Sequence, residues 1–263
     1  MKFSLRTGKI ADIKTDCILL PVNEKSKLND SGEQIDQASS GLVSKLLARK
    51  ELGEDNGATL LLQELPGVKA TRTLLVRIAG DDAPTFRAAL NAAAPTIMRP
   101  QHSDVQSTLC ETDIKNLSLA DRLEAEVQIL RDHRYAFVSH KSKPAKQAGT
   151  KTYRLNAASI AAHKSALVSA QALADGVDLA RELGNTSPNI CHPKWLVTQA
   201  RQMARKHSKL SVTVLDEKQM AKLGMGALLG VARGSAQPPR MIIFEYKGGA
   251  AKDKPLALVG KGV

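Results

Sequence analysis

The sequence predicts an α/β fold. Three observations carry this. Short apolar runs of strand length recur along the chain, amphipathic stretches at helical spacing separate them, and Gly and Pro punctuate the joins. The 263 residues are enough for one large or two ordinary domains, and a hydrophobic content of 43% sets disorder aside. Aromatics are only 3%, so the core must be built from Leu, Val, Ile and Ala.

Taken in order, Cys17–Val22 is a compact apolar run that ends in a turn at Asn23 and reads as a strand. Glu33 to Arg49 places Ile35, Ala38, Leu42, Val43, Leu46 and Leu47 at helical spacing and reads as one helix. Ala58–Leu62 and Thr73–Ile78 read as neighbouring strands, with Pro66-Gly67 as the turn. Pro84 suits the first turn of a helix that Pro95 should end. Leu119–Leu130 is another amphipathic helix. A longer one, rich in Ala, Leu and Val, runs from about Ala158 to Leu183; Gly184-Asn185 stops it, and it is long enough to link two domains. Beyond it come Pro188, Pro193, a helix from Trp195 to Lys206, and strands at Val212–Leu215, Met241–Glu245 and Leu256–Val259. Strands alternating with helices imply a sheet with parallel pairs.

No apolar run approaches the ~20 residues that a membrane-spanning helix needs. The start, Met1-Lys2-Phe3-Ser4-Leu5-Arg6, has no apolar h-region, so no secretory signal is read. Cys17, Cys110 and Cys191 are odd in number and far apart, which suits free thiols in a reducing compartment, and the cytoplasm is inferred. The formal net charge of +12 is compatible with a nucleic-acid partner. The densest basic stretch, Arg131, Arg134, Lys141, Lys143, Lys146, Lys151 and Arg154, contains Pro144 and Gly149 and lacks the aromatic pattern of an RNA-recognition sheet, so it reads as a solvated loop.

Motif by motif, the chain shows no active site. Gly224-Met225-Gly226, followed by Gly230, places its third glycine one position late for a dinucleotide loop and reads as a packing turn. Gly260-Lys261-Gly262 lacks the Ser or Thr after the lysine that a phosphate loop needs. Cys191-His192 reads as the start of a helix rather than a nucleophile and its base. His102, His133, His140, His163, His192 and His207 have no metal-ligand spacing, and no serine sits in G-x-S-x-G.

Asp178 to Pro193 nevertheless contains Arg181, Leu183, Asn185, Pro188, Asn189 and Pro193 in the order R-x-L-x-N-x-x-P-N-x-x-x-P. This resembles the opening of the catalytic domain of leucyl (cytosol) aminopeptidases. The likeness continues collinearly through Val214–Met220, Leu223–Gly226, Val231–Ser235, Gln237–Arg240, Glu245-Tyr246 and Leu258–Val263. Residues 1–160 resemble the family's macro-like N-terminal domain more loosely, through Ile35-Asp36, Leu65-Pro66-Gly67 and Leu75-Val76.

The resemblance implies an α/β organisation in three parts. These are a macro-like domain over 1–157, a linking helix over 158–184, and over 185–263 the first part of a metallo-aminopeptidase domain, truncated at Val263. It further implies a cytoplasmic homo-hexamer, without membrane attachment, that releases N-terminal amino acids from peptides with two divalent metals, manganese or zinc. Lys261 is implied as a metal ligand through its amine. A lysine must lose its proton to offer a lone pair, and a neighbouring dication favours that by repelling the ammonium. The family's carboxylate ligands lie in T-F-D-x-G-G and N-T-D-A-E-G-R, and neither motif occurs here. The 263 residues alone are therefore expected to be inactive and to hold no metal stably. Some relatives also bind DNA, so a non-enzymatic DNA-binding or accessory module is the alternative reading.

Overall fold

The structure is a computed structural model that describes residues 1–139, 141–143, 149–250 and 252–262. It divides into two compact units, Met1–Glu182 and Leu183–Val263.

The first unit runs β1 (Lys2–Arg6), β2 (Cys17–Asn23), α1 (Asp30–Ala38), α2 (Leu42–Ala48), β3 (Thr59–Gln63), β4 (Arg72–Ile78), α3 (Ala83–Ile97), β5 (Asp104–Ser107), α4 (Leu119–Arg134), β6 (Thr152–Asn156) and α5 (Ile160–Asn185), whose last turn passes into the second unit. The strands form one sheet in the order β1-β6-β5-β2-β4-β3, parallel throughout except for β3 against β4. β2 is central, which explains its unbroken apolar run: a strand covered on both faces has no polar side. Ile18, Leu20 and Val22 join Ile35, Val43 and Leu47 in one core. Cys17 and Leu19 point the other way, into a core with Phe86, Ala89, Val127 and Leu167.

The neighbouring strands expected across Pro66-Gly67 are present, and they pair antiparallel with Leu61 opposite Leu74. The single helix expected from Glu33 to Arg49 is two. Ser40 and Gly41 take φ +57° and +75°, and Asp36 accepts from the Ser44 amide at 2.9 Å, so the chain turns there while the apolar spacing carries on. Pro95 does not end α3. In the last turn its missing N–H forfeits one bond, and the helix continues with Met98 N–H to Ala94 C=O at 2.9 Å. β1, β5 and β6 have no apolar run to betray them. They are half-polar strands whose Phe3, Val105, Tyr153 and Leu155 enter the second of the two cores.

The second unit contains α6 (Pro193–Lys206), β7 (Leu210–Leu215), α7 (Glu217–Lys222), α8 (Gly226–Ala232) and β8 (Met241–Tyr246). β7 and β8 pair antiparallel, Val212 opposite Phe244, where parallel pairing was expected. Leu256–Val259 is not a strand: Leu256, Leu258 and Val259 are 86%, 89% and 97% exposed. An apolar run becomes a strand only where a neighbour offers free N–H and C=O groups, and among the described residues none pairs with it. The apolar side chains buried in this unit, among the described residues, are Val197, Ala200 and Met220. No helix of the described residues is long and apolar enough to cross a membrane.

Candidate functional site

The residues that carry the resemblance build turns and caps. After α5, the amides of Ile190 and Cys191 both donate to Ser187 C=O at 2.9 Å, forming a tight turn. His192 is the N-cap of α6, its Nδ1 accepting from the Trp195 amide at 3.4 Å, and Pro193 follows where a missing N–H costs nothing. Cys191-His192 is thus the helix start that the sequence suggested. Asp216 and Gln219 form a reciprocal capping box on α7, each bond 2.9 Å. Gly224, at φ +73°, turns the chain from α7 into α8; the cluster is a turn, but with open space around Gly224, Gly226 and Gly230 it is not a packed one. Arg240 closes back on Glu217 at 2.6 Å. The second half of the likeness therefore marks the punctuation of a fold.

Lys261 lies in the exposed, irregular stretch that follows. Among the described residues no group of three His, Cys, Asp or Glu side chains is placed to hold a metal ion. Hard dications need several oxygen ligands, and one amine does not replace them. The residues present do not by themselves fit a two-metal centre.

Among the described residues, three arginines of the basic stretch are engaged by local acceptors. Arg131 is held by Asp175 and Asp178, Arg134 donates to Thr150 C=O at 2.8 Å, and Arg154 pairs with Asp104. Lys141 and Lys143 are exposed, and Lys146 and His140 lie outside the described residues.

Sequence reading missed one polar centre entirely. Glu126 of α4 is fully buried; one carboxyl oxygen accepts from Ser107 Oγ and Tyr153 Oη, and the other meets no well-formed hydrogen bond among the described residues. Burial pushes its pKa up to about 7, against the Ser107 and Tyr153 hydroxyls and the Cys110 backbone that pull it down. The same burial drives the Cys110 thiol well above its ordinary range, with Glu126 and Glu111 adding to the shift. Such a thiol is inert, and the centre is sealed from any substrate. A signal existed: Glu126 lies three residues after Leu123 and four before Leu130, on the apolar face of the helix. Nearby, Glu111 is gripped by Asn29 at 2.9 Å and Asn156 at 2.5 Å, tying the ends of the sheet to the start of α1.

The fold is that of leucine aminopeptidases. A mutant of tomato leucine aminopeptidase superposes with a TM-score of 0.74 at 21% identity, covering 97% of this chain and 52% of that one. The bottromycin maturation enzyme BotP superposes at 0.65 and 19% identity, covering 87% of this chain and 45% of that one. Residues 19–144 match the cytosol aminopeptidase family, N-terminal domain, and residues 178–263 match the cytosol aminopeptidase family, catalytic domain. The chain belongs to the cytosol aminopeptidase family. It is 36% identical to a probable cytosol aminopeptidase of Methylobacillus flagellatus and 38% identical to the cytosol aminopeptidase of Pseudomonas aeruginosa, along its full length in both cases. It spans 54% of each of those relatives.

Proposed function

We propose that these 263 residues are the N-terminal portion of a metal-dependent leucyl aminopeptidase, a hydrolase that releases N-terminal amino acids from peptides. The collinear match of the whole chain to cytosol aminopeptidases supports this most strongly. On this reading residues 1–157 are a macro-like domain, 158–184 a linking helix and 185–263 the first part of the catalytic domain. The working assembly is a cytoplasmic homo-hexamer with two divalent ions, manganese or zinc, per subunit. One of the solved relatives, BotP, is described in complex with manganese. Lys261 is the ligand this chain would bring, and the carboxylates must come from elsewhere. Taken alone, the 263 residues do not turn over peptide.

The test is to extend the chain with the portion of the Pseudomonas aeruginosa relative that it does not match, and to assay leucine-amide hydrolysis with manganese. The reading expects activity that Lys261→Ala removes. A folded extended chain whose activity is indifferent to Lys261→Ala would overturn the ligand assignment.

A further inference from the structure

Helix α5 is attached to its unit in two different ways along its length. Its first half is docked by burial: Leu167, Ala170 and Ala174 sit in the core with α3 and α4. From Asp175 to Asn185 no side chain is buried. There the ties to α4 and the turn behind it are polar. Arg131 Nε donates to Asp178 at 3.0 Å and its Nη2 to Asp175 at 2.8 Å. Arg181 pairs with Asp132 at 2.9 Å and lies 5.5 Å over the Tyr135 ring. Glu182 accepts from Tyr135 Oη at 3.3 Å and from Ser139 Oγ. The change from one mode to the other falls at Gly176, a helical glycine with open space where a Cβ would stand.

We propose that the C-terminal half of α5 is an electrostatic latch: it closes on α4 through Arg131 and Arg181 and swings free at Gly176 when those pairs are broken. The charges interlock, since α4 presents Arg131 and Asp132 while α5 presents Asp175, Asp178 and Arg181, so only one register satisfies all of them. Apolar docking is little affected by salt of this kind, whereas the more exposed Arg131–Asp175 and Arg181–Asp132 pairs are weakened as the screening length falls to ~3 Å in molar salt; Arg131–Asp178, about a quarter exposed, is screened less, and Arg131→Met removes it directly. Glycine inside a helix is the residue that most readily lets the two halves part short of proline.

Hydrogen exchange on the full chain tests this, comparing the amides of Val177–Leu183 with those of Ile160–Ala174 in dilute buffer, in 1 M sodium chloride, and in Arg131→Met, which keeps the aliphatic stem and removes the charge. The latch requires roughly tenfold or greater acceleration of the 177–183 amides under both perturbations, with the 160–174 amides unchanged. Equal acceleration of both halves, or no acceleration of the second, overturns it. Should Arg131→Met fail to fold, the salt comparison on the unmodified chain decides alone.

Discussion

Replacing Glu126 by Gln should make the stability of the first unit less dependent on pH, in a direction and by an amount that the structure sets. The carboxyl is fully buried and its folded pKa is raised from 4.5 to about 7. Below 4.5 the group is protonated folded and unfolded, and contributes no slope. Between 4.5 and about 7 the folded protein keeps a proton that the unfolded chain has lost, so stability falls as pH rises through that window. Above it both states are ionised and the loss is complete. At ~1.4 kcal/mol per unit, a window from 4.5 to about 7 costs about 3 kcal/mol. Gln places a neutral amide on the same two hydroxyl donors and never ionises. Urea unfolding followed by far-UV circular dichroism at pH 4.5 to 8.5, on both proteins, isolates the effect, because any fixed cost of the substitution cancels along the pH axis. The stability difference between Glu126→Gln and the unmodified chain should grow in favour of the variant by about 3 kcal/mol from acid to pH 8, roughly 10 °C in Tm. A difference that is flat with pH, or that grows toward acid, would refute the reasoning.

His102 should act in the opposite sense. Burial lowers its pKa from 6.5 while Nδ1 bonds the Thr96 and Ile97 carbonyls at the end of α3, so stability present above 6.5 is lost as pH falls through it. His102→Asn should flatten that acid limb in the same urea series, and an unchanged limb would count against it. Gly67→Ala should destabilise by about 2 kcal/mol or more, because φ is +72° and the new Cβ would lie 2.3 Å from Ala38 C=O; a calorimetric Tm within 1 °C of the parent, taking roughly 3 °C per kcal/mol, would contradict this. Limited proteolysis should cut within residues 183–263 before residues 1–182, since the second unit buries so few apolar side chains and exposes Phe244, Tyr246 and Leu256–Val259. Duplex DNA should bind no tighter than about 1 μM at physiological salt. Tighter, steeply salt-dependent binding lost on neutralising Lys141, Lys143 and Lys146 would favour the non-enzymatic reading.

The sequence showed the strands that carry a compact apolar run and concealed the half-polar β1, β5 and β6. β2 and β4 announce themselves because a central parallel strand has no solvent face. β1, β5 and β6 alternate or nearly do, and their assignment depends on partners more than a hundred residues away in some cases, such as Phe3 beside Tyr153. The break between α1 and α2 escaped because periodicity does not register a backbone turn at Ser40-Gly41. Leu256–Val259 failed in reverse: the residues suit a strand, and the partner is missing among the described residues. Glu126 was hidden by its charge, which suggests a surface position although its spacing puts it among leucines. The family was legible through spaced Pro, Asn and Gly residues that prove to be caps and turns, such as Pro193 on α6 and Gly224 between α7 and α8. That is why likeness identified the fold while giving only Lys261 as a candidate ligand.

The most direct test of the central claim is leucine-amide hydrolysis by the purified 263-residue chain with manganese or zinc added, run beside Lys261→Ala. A single candidate ligand without its carboxylates predicts no turnover above buffer from either protein. Metal-dependent turnover by the unmodified chain that Lys261→Ala abolishes would show that these residues already assemble a working centre, and would contradict the account.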